Sequence, residues 1–468
     1  MNINNFKNIY FLGIGGIGMS ALAQYFLHKG QKVYGYDRTP SAMTKKLSDL
    51  GATVSYDEST AALPEDIINN PEQSLVVYTP AIPEEHAAFQ YFKKNDYAVF
   101  KRAEILGFLS KAFFTIAVAG THGKTSTAGL VSYLLHRHDI KHYAFLGGIS
   151  AAYDSNFLAP ASSAPAGIAV IEADEFDRSF LKLSVDIGII TGVEADHLEV
   201  YDNEEGVRAA FQAFAQKVKP DGLLILQEQV KDLFTEQQHC EKQTYGFEAD
   251  NHYQAEKIKH HEWGTNFELN CRGNKKQQAS ITLATPGIHQ VMNALAAIAA
   301  CMPLIKTSRL LDKHLKAYTG IKRRFEYHFR SATHAYIDDY AHHPTEIRFI
   351  AESLREIYPQ QKIMAIFQPH LFSRTRDFAA AFGESLSLFD EVVLLPIYPA
   401  REKPITGVNE KNILQYIKKS ANLAPSNRAL MKRIKASACQ VFISLGAGDI
   451  GLKTNIIKAQ IAEKAVAE

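Results

Sequence analysis

The chain reads as an α/β protein of three domains, each built on a largely parallel sheet. Three observations predict this. Its 468 residues suffice for about three domains of ~150 residues each. Short apolar strands alternate with amphipathic helices along almost the whole length. Two glycine-rich turns of different design, about a hundred residues apart, each follow an apolar strand and open a helix, so the chain handles two phosphorylated ligands.

The first sheet begins with Asn8-Ile9-Tyr10-Phe11-Leu12 and the turn Gly13-Ile14-Gly15-Gly16-Ile17-Gly18. Lys32 to Tyr36 forms another strand that ends at Asp37, and Leu75 to Tyr78 a further one. A G-x-G-x-x-G turn with an acid about 20 positions on is the dinucleotide-binding fingerprint. Its glycines admit a diphosphate to the backbone, and the acid grips a ribose hydroxyl. The segment is therefore Rossmann-like. The same turn holds any diphosphate at a helix N-terminus, UDP included, so a nicotinamide-dependent dehydrogenase is one reading among others.

The second sheet starts at Phe113 to Ala119, followed by Gly120-Thr121-His122-Gly123-Lys124-Thr125 and a helix with Leu130, Val131, Leu134 and Leu135 on one face. Backbone N–H groups of such a loop cradle phosphates, Lys124 reaches the β and γ oxygens, and the Thr125 hydroxyl ligates Mg²⁺. The full G-x-x-x-x-G-K-[ST] form has glycine where Val118 stands, so this is a shortened P-loop. In an ordinary βα turn the helix dipole would repel Lys124, which has no packing reason to be there unless an anion is bound.

Strands Gly167 to Ile171, Ile187 to Thr191 and Leu223 to Gln227 continue this sheet. Glu172-Ala173-Asp174-Glu175 emerges at its carboxyl edge, either to hold Mg²⁺ opposite Thr125 or as a solvated acidic loop. Glu194-Ala195-Asp196-His197 leaves the next strand at a similar edge, where the histidine suits a second cation or a structural place. Between about 240 and 285 the pattern turns strand-like and polar around Trp263, which predicts a small antiparallel patch with a hairpin tip at Arg272 to Gln278. His260 and His261 read as exposed there. The helix Asn293 to Met302 is nearly all Ala, Leu and Ile, as a helix packed on a sheet would be.

Near Gly320 the cluster Lys322-Arg323-Arg324 opens a third, Rossmann-like αβ region with strands Ile363 to Phe367, Glu391 to Leu395 and Gln440 to Ser444. Asp338-Asp339-Tyr340-Ala341-His342-His343-Pro344-Thr345-Glu346 places two acids and two imidazoles before a helix. Adjacent histidines suit a phosphate or carboxylate pocket better than a single zinc ion. His370, Arg374 and Arg376 follow another strand and imply an anionic ligand.

Composition narrows the partners. With 51 basic and 50 acidic residues the net charge is +1, and no long Lys/Arg run appears, which argues against nucleic acid or an anionic membrane. The longest apolar stretch, Ala294 to Ile305, is too short to span a bilayer and contains Pro303. The N-terminus lacks a basic n-region and a cleavage site. Cys240, Cys271, Cys301 and Cys439 are scattered without Cys-x-x-Cys spacing and read as reduced cytoplasmic thiols.

Taken in order, Gly13 to Ser20, Gly120 to Thr125, Glu172 to Glu175, Glu194 to His197, Pro286-Gly287 with His289 and Asn293, Lys322 to Phe325, and Asp339 to Glu346 resemble the motifs of the Mur ligases. The resemblance runs from residue 8 to about 450. It implies a cytoplasmic enzyme, a monomer or weak homodimer, with a Rossmann-like UDP-sugar domain over 1–106. A central P-loop ATPase domain with the antiparallel patch follows over 107–320, and a C-terminal domain over 321–468 closes on the amino acid. The implied reaction is ATP-dependent ligation of L-alanine to the lactyl carboxylate of UDP-N-acetylmuramate through an acyl phosphate, in peptidoglycan precursor synthesis. Recycling of a tripeptide onto the same sugar nucleotide is the alternative within the class, and an NAD-dependent oxidoreductase the alternative outside it.

By the same resemblance, Gly120, Thr121, His122, Gly123, Lys124, Thr125, Ser126, His289, Asn293 and Arg324 bind ATP. Thr125, Glu172 and His197 hold Mg²⁺, and Lys124, Glu172, His197, Arg324 and Asp339 are catalytic. Gly13, Gly15, Gly16, Ile17, Gly18, Asp37 and Thr79 face the UDP-sugar, and Tyr340, His342 and Arg374 face substrate in the third domain. Three positions depart from the family pattern. Leu371 stands where relatives often carry arginine, Gly192 replaces an asparagine, and Gln212 occupies the position of a carbamylated lysine, so no carbamate is expected there.

Overall fold

The computed structural model describes residues 3–161, 167–194, 198–201, 203–236, 239–261, 264–272, 277–400 and 402–467. Three sheets organise it. The first contains β1 (Asn8–Leu12), β2 (Lys32–Tyr36), β3 (Thr53–Ser55), β4 (Ser74–Tyr78) and β5 (Ala98–Lys101) in the order β3-β2-β1-β4-β5, with every neighbour parallel. β1 is buried along its whole length, as the uninterrupted run Ile9 to Leu12 requires of a strand covered on both faces. Strand order reverses between β1 and β4, and there the first glycine turn emerges beside Thr79.

The central sheet comprises β6 (Phe114–Ala119), β7 (His142–Ser150), β8 (Ser155–Leu158), β9 (Ile168–Glu172), β10 (Val185–Ile190), β11 (Val218–Gln227), β12 (Glu241–Gly246), β13 (Tyr253–His261), β14 (Gly264–Cys271) and β15 (Gln277–Leu283). Their order is β15-β14-β13-β12-β11-β10-β6-β9-β7-β8. It is mixed: β6 runs parallel to both β10 and β9, whereas β7 and β8 are antiparallel. The expected polar strands between 240 and 285 do border this sheet as β12 to β15, but the patch is not simply antiparallel, since β12 runs parallel to both β11 and β13; Trp263 and the hairpin tip at 273–276 fall outside the described residues. The Ala-rich helix spans Ile288–Cys301, starting earlier than its apolar run because Gly287, at φ +113°, makes the turn that lets it begin.

The third sheet holds β16 (Glu326–Arg330), β17 (Ala335–Asp339), β18 (Ile363–Phe367), β19 (Glu391–Leu394), β20 (Ser420–Leu423) and β21 (Val441–Leu445), ordered β16-β17-β21-β18-β19-β20. Only β16 is antiparallel to its neighbour.

The chain divides into two compact units. The first is Met1–Lys257, Phe267–Ile281 and Met292–Tyr318; the second is Ile258–Asn266, Thr282–Val291 and Thr319–Glu468. Within the first, the N-terminal and central sheets share one hydrophobic core that includes Phe11, Tyr25, Leu106, Tyr143, Phe157, Ile171 and Phe180. A buried polar cluster reinforces the join. Gln24 on the helix Ile17–His28 donates to Asn156 Oδ1 at 2.8 Å, and the Asn156 amide donates to Ser20 Oγ at 2.9 Å and the Ile17 carbonyl at 2.6 Å. In the second unit the sheet is covered on both faces, by a cluster around Ile337, Ile347 and Phe367 and another around Tyr336, Ile366 and Phe442.

Candidate active site

The second glycine turn is shaped by close backbone approach. Gly120 has φ +138°, and a methyl group there would stand 2.0 Å from Thr191 Oγ1; Gly123 has φ +80°, and a methyl group there would stand 2.6 Å from Asn293 Oδ1. Only glycine fits either place. Thr191, the residue after β10, donates to the Ala119 carbonyl at 3.2 Å and to that of His122, and the Gly192 carbonyl accepts the Thr121 N–H at 3.1 Å. Asn293 also accepts the Thr127 hydroxyl at 3.2 Å. Ser126 lies in the first turn of the helix Lys124–Arg137. The loop is thus preorganised by groups from two other segments, the 191–192 stretch and the helix Ile288–Cys301.

Strand register brings the acidic run to this turn. Val118 pairs with Glu172 and Ala119 with Ile190, so Gly120, Asp174 and Thr191 leave the sheet in one row. The three carboxylates then go separate ways. Glu172 Oε1 accepts the Thr125 hydroxyl at 2.8 Å, and its Oε2 accepts the Gly147 N–H at 2.7 Å. Glu175 Oε1 pairs with Lys124 Nζ at 2.8 Å, the glutamate side chain being buried and the lysine partly so. Asp174 Oδ2 accepts from Arg102 at 3.3 Å.

Lys124 Nζ also donates to the Gly120 and Thr121 carbonyls, at 2.6 and 3.1 Å, so the ammonium is folded onto its own loop. Burial lowers the Lys124 pKa, but Glu175, Asp174 and Glu172 outweigh it and hold the pKa above the ordinary lysine value. Burial pushes the Glu175 carboxyl upward, against the pull of Lys124. The direction with the firmer cause is that of Lys124, which faces three carboxylates. His122 Nε2 stands 3.4 Å from Glu194 Oε2. His197 lies outside the described residues.

At the first turn, Gly13 (φ +86°) donates to the Tyr36 carbonyl at 2.8 Å, and a methyl group there would stand 2.8 Å from Thr79 Cγ2. Gly16 donates to the Gly13 carbonyl at 3.2 Å, and Ile17 and Gly18 begin the following helix. Asp37 Oδ2 accepts the Gly15 N–H at 2.7 Å, which ties the acid to the turn itself. Gly13, Gly15, Gly16, Ile17, Gly18, Asp37 and Thr79 are therefore gathered at one edge of the first sheet.

In the second unit Asp339 is almost fully buried. Its oxygens accept the Phe325 N–H at 2.6 Å and the Ala341 N–H at 2.7 Å. Burial raises its pKa to about 6, and Arg324 opposes the rise. Arg323 (φ 61°) and Phe325 (φ 51°) both adopt the left-handed conformation on either side of Arg324, a strained arrangement of the kind that fixes functional side chains. The Arg324 guanidinium lies 5.1 Å from the Tyr340 ring centre and 3.7 Å from Glu346. Glu346 also accepts the His342 N–H at 2.9 Å. The His342 ring lies 5.9 Å from that of His370. Burial pulls the His342 pKa down to about 4, against Glu346, which raises it, and with Arg374, which lowers it further. Arg374 is buried in the helix Phe372–Leu386, and Leu371 caps that helix at φ +73°.

Several expectations change. Arg376 is turned outward against Asp377 at 2.7 Å and does not join Arg374. His260 is not merely exposed: its Nδ1 lies 2.8 Å from Thr265 Oγ1 and its Nε2 lies 3.3 Å from Glu356, because β13 carries it to the Gly287 turn. His289 belongs to the second unit and Asn293 to the first, although they lie one turn apart on one helix. Gln212 lies on the helix Glu204–Ala215 and donates to the Leu233 carbonyl at 3.0 Å. Thr191 and Arg102 are not marked by the sequence as site residues, since a lone threonine at a strand end or a lone arginine at a helix start carries no local signal.

Residues 8–114 match the family described as "Mur ligase family, catalytic domain", 118–301 match "Mur ligase middle domain", and 323–449 match "Mur ligase, glutamate ligase domain". The UDP-N-acetylmuramate–L-alanine ligase of Flavobacterium johnsoniae is 40% identical over 463 residues, covering 99% of this chain and 100% of the relative. That of Cytophaga hutchinsonii is 39% identical, covering 96% of each. The crystal structure of a UDP-N-acetylmuramate–alanine ligase from Thermotoga maritima superposes with a TM-score of 0.79 at 28% identity, over 98% of this chain and 99% of that one. A murein peptide ligase from Psychrobacter arcticus shares the fold, with a TM-score of 0.71 at 22% identity over 97% of this chain and 98% of that one.

Proposed function

The chain belongs to the Mur ligase family, and from that premise we propose how its residues carry the reaction. It is an ATP-dependent acid–amino-acid ligase that joins L-alanine to the lactyl carboxylate of UDP-N-acetylmuramate, releasing ADP and phosphate. It acts in the cytoplasm, as a monomer or weak homodimer, with domain boundaries near 106/107 and 320/321.

The observation that carries the assignment of roles is the row at the second turn, where Lys124 and the Thr125–Glu172 pair stand together at the carboxyl edge of β6 and β9. The loop N–H groups and Lys124 take the β and γ phosphates of ATP. A hydroxyl and a carboxylate 2.8 Å apart are the hard oxygen donors that Mg²⁺ accepts. When bound there, Mg²⁺ neutralises phosphate charge, with His197 serving a second ion by family resemblance. The lactyl carboxylate attacks the γ-phosphorus, the bond to the β-phosphate oxygen breaks, and ADP leaves. The alanine amine then attacks the acyl carbon, and phosphate departs. Lys124 and Arg324 stabilise charge on the transferring oxygens, while Asp339 holds the strained 323–325 segment that presents Arg324. His289 and Asn293 serve the ATP base, Tyr340, His342 and Arg374 serve substrate in the third domain, and the first turn with Asp37 and Thr79 holds the UDP-sugar.

The test is phosphate release from MgATP. It is expected only when UDP-N-acetylmuramate and L-alanine are both present. Equal or better turnover with the murein tripeptide would transfer the assignment to the recycling ligase, and a change in nicotinamide absorbance without phosphate release would transfer it to an oxidoreductase.

A further inference from the structure

Arg102 belongs to neither glycine turn, yet it touches both neighbourhoods. It is the residue after β5, and strand register aligns Leu12 with Tyr78 and Tyr78 with Lys101. Gly13, Thr79 and Arg102 therefore leave the first sheet in one row, at the carboxyl edge where ligands of parallel sheets bind. From that row the side chain packs on the helix Ile17–His28. A methyl group at Gly18 would stand 2.5 Å from Arg102 Nη1 and 3.1 Å from its Cδ and Cζ. Gly18 is thus required by the arginine and not by its own dihedral angles.

This is an unfavourable place for a lone cation. Arg102 opens the helix Arg102–Ala112 and lies against the first turn of the helix Ile17–His28, so two positive dipole ends face it. Glu104, in the same first turn, is committed to the Lys101 N–H at 2.8 Å. Among the described residues the ion-pair partner of Arg102 is Asp174 alone, at 3.3 Å, and that carboxylate is 38% exposed. At the turn itself the Gly15 and Gly16 N–H groups are already used, by Asp37 and by the Gly13 carbonyl. The N–H groups that a helix start leaves without intrahelical partners are those of Ile17, Gly18 and Met19, beside the guanidinium.

We infer that Arg102 is a diphosphate-binding residue of the sugar-nucleotide site, gripping phosphate oxygens together with the first-turn N–H groups of the helix Ile17–His28. The inference rests on the reading of the first turn as the UDP-sugar site. A guanidinium offers the two-pronged grip that phosphate favours. Its link to Asp174, which also acts on Lys124, connects the sugar-nucleotide turn to the acidic edge of the ATP turn within the unit that shares one hydrophobic core.

Calorimetry on the full chain tests this, with UDP as probe of the first turn and a non-hydrolysable ATP analogue with Mg²⁺ as probe of the second. Arg102→Met should weaken UDP at least ~10-fold, the worth of one charge-assisted bond, while analogue affinity stays within about threefold. Arg102→Lys should recover part of the loss. Gly18→Ala, which displaces the guanidinium without removing it, should weaken UDP similarly and remains informative if Arg102→Met fails to fold. Unchanged UDP affinity in Arg102→Met overturns the inference. So does parallel loss of both affinities, which would make Arg102 a structural tie to Asp174. Loss with UDP-N-acetylmuramate but not with UDP overturns it as well, by moving the guanidinium to the lactyl carboxylate. A parent chain that binds no UDP refutes the substrate reading instead, before any variant is compared.

Discussion

Replacing Lys124 with methionine removes the ammonium that pairs with Glu175 at 2.8 Å, where Glu175 is only 3% exposed. Breaking one side of a buried pair usually costs about 3–5 kcal/mol, because the remaining charge has lost its counter-ion. Glu175 has an escape: it can take up a proton. That escape costs about 1.4 kcal/mol for each pH unit above the ordinary glutamate value, so the penalty is capped near ~4 kcal/mol at pH 7.5 and near ~1.4 kcal/mol at pH 5.5. The Lys124→Met chain should therefore be destabilised at pH 7.5 and recover most of its deficit at pH 5.5. Adding Glu175→Gln should restore stability at both pH values, because a neutral amide needs no counter-ion. It should not restore phosphate release, because the γ-phosphate still lacks its cation. Urea midpoints of the parent, single and double variants at the two pH values, with a parallel turnover assay, test this. A penalty independent of pH, or a double variant no more stable than Lys124→Met, would refute the claim that an unpaired Glu175 charge causes the loss.

Three further outcomes are expected. Arg324→Lys keeps the charge but loses the planar fork, so kcat should fall by roughly 10²-fold with ATP affinity little changed; normal kcat with weakened ATP would instead assign Arg324 to ground-state binding. Burial depresses His342 to about 4 in the folded chain, with Arg374 and Arg324 adding to the effect and Glu346 opposing it. A depressed histidine contributes stability above its unfolded pKa of about 6.5 and loses it as pH falls toward 4, amounting to about 2 kcal/mol at pH 5. The stability of the parent relative to His342→Gln should drop by that amount between pH 8 and 5, and a difference that stays constant with pH would show that His342 does not titrate in this way. His289, also depressed to about 4 by burial and then by His260 and Arg324, should respond in the same sense.

The sequence by itself determined the strands and the turns. β1 and Ile363–Phe367 fall on the residues their apolar runs mark, because a strand buried along its whole length has to be largely apolar. Gly120 and Gly123 were legible because positive φ beside a packed side chain leaves no alternative residue. Tertiary structure decided the rest through pairings that no local pattern carries. The acidic run offered three similar carboxylates, and only packing sent Glu172 to Thr125, Glu175 to Lys124 and Asp174 to Arg102, across 47, 51 and 72 positions of chain. A polar strand made His260 read as exposed, until Glu356 and the Gly287 turn enclosed it. The left-handed backbone at Arg323 and Phe325 had no glycine to announce it, and Asp339 imposes it by holding the Phe325 N–H. Local chemistry writes periodicity and obligatory glycines into the sequence. The choice among equivalent charges is made by whichever partner the fold carries within about 3 Å, and that partner is remote in sequence.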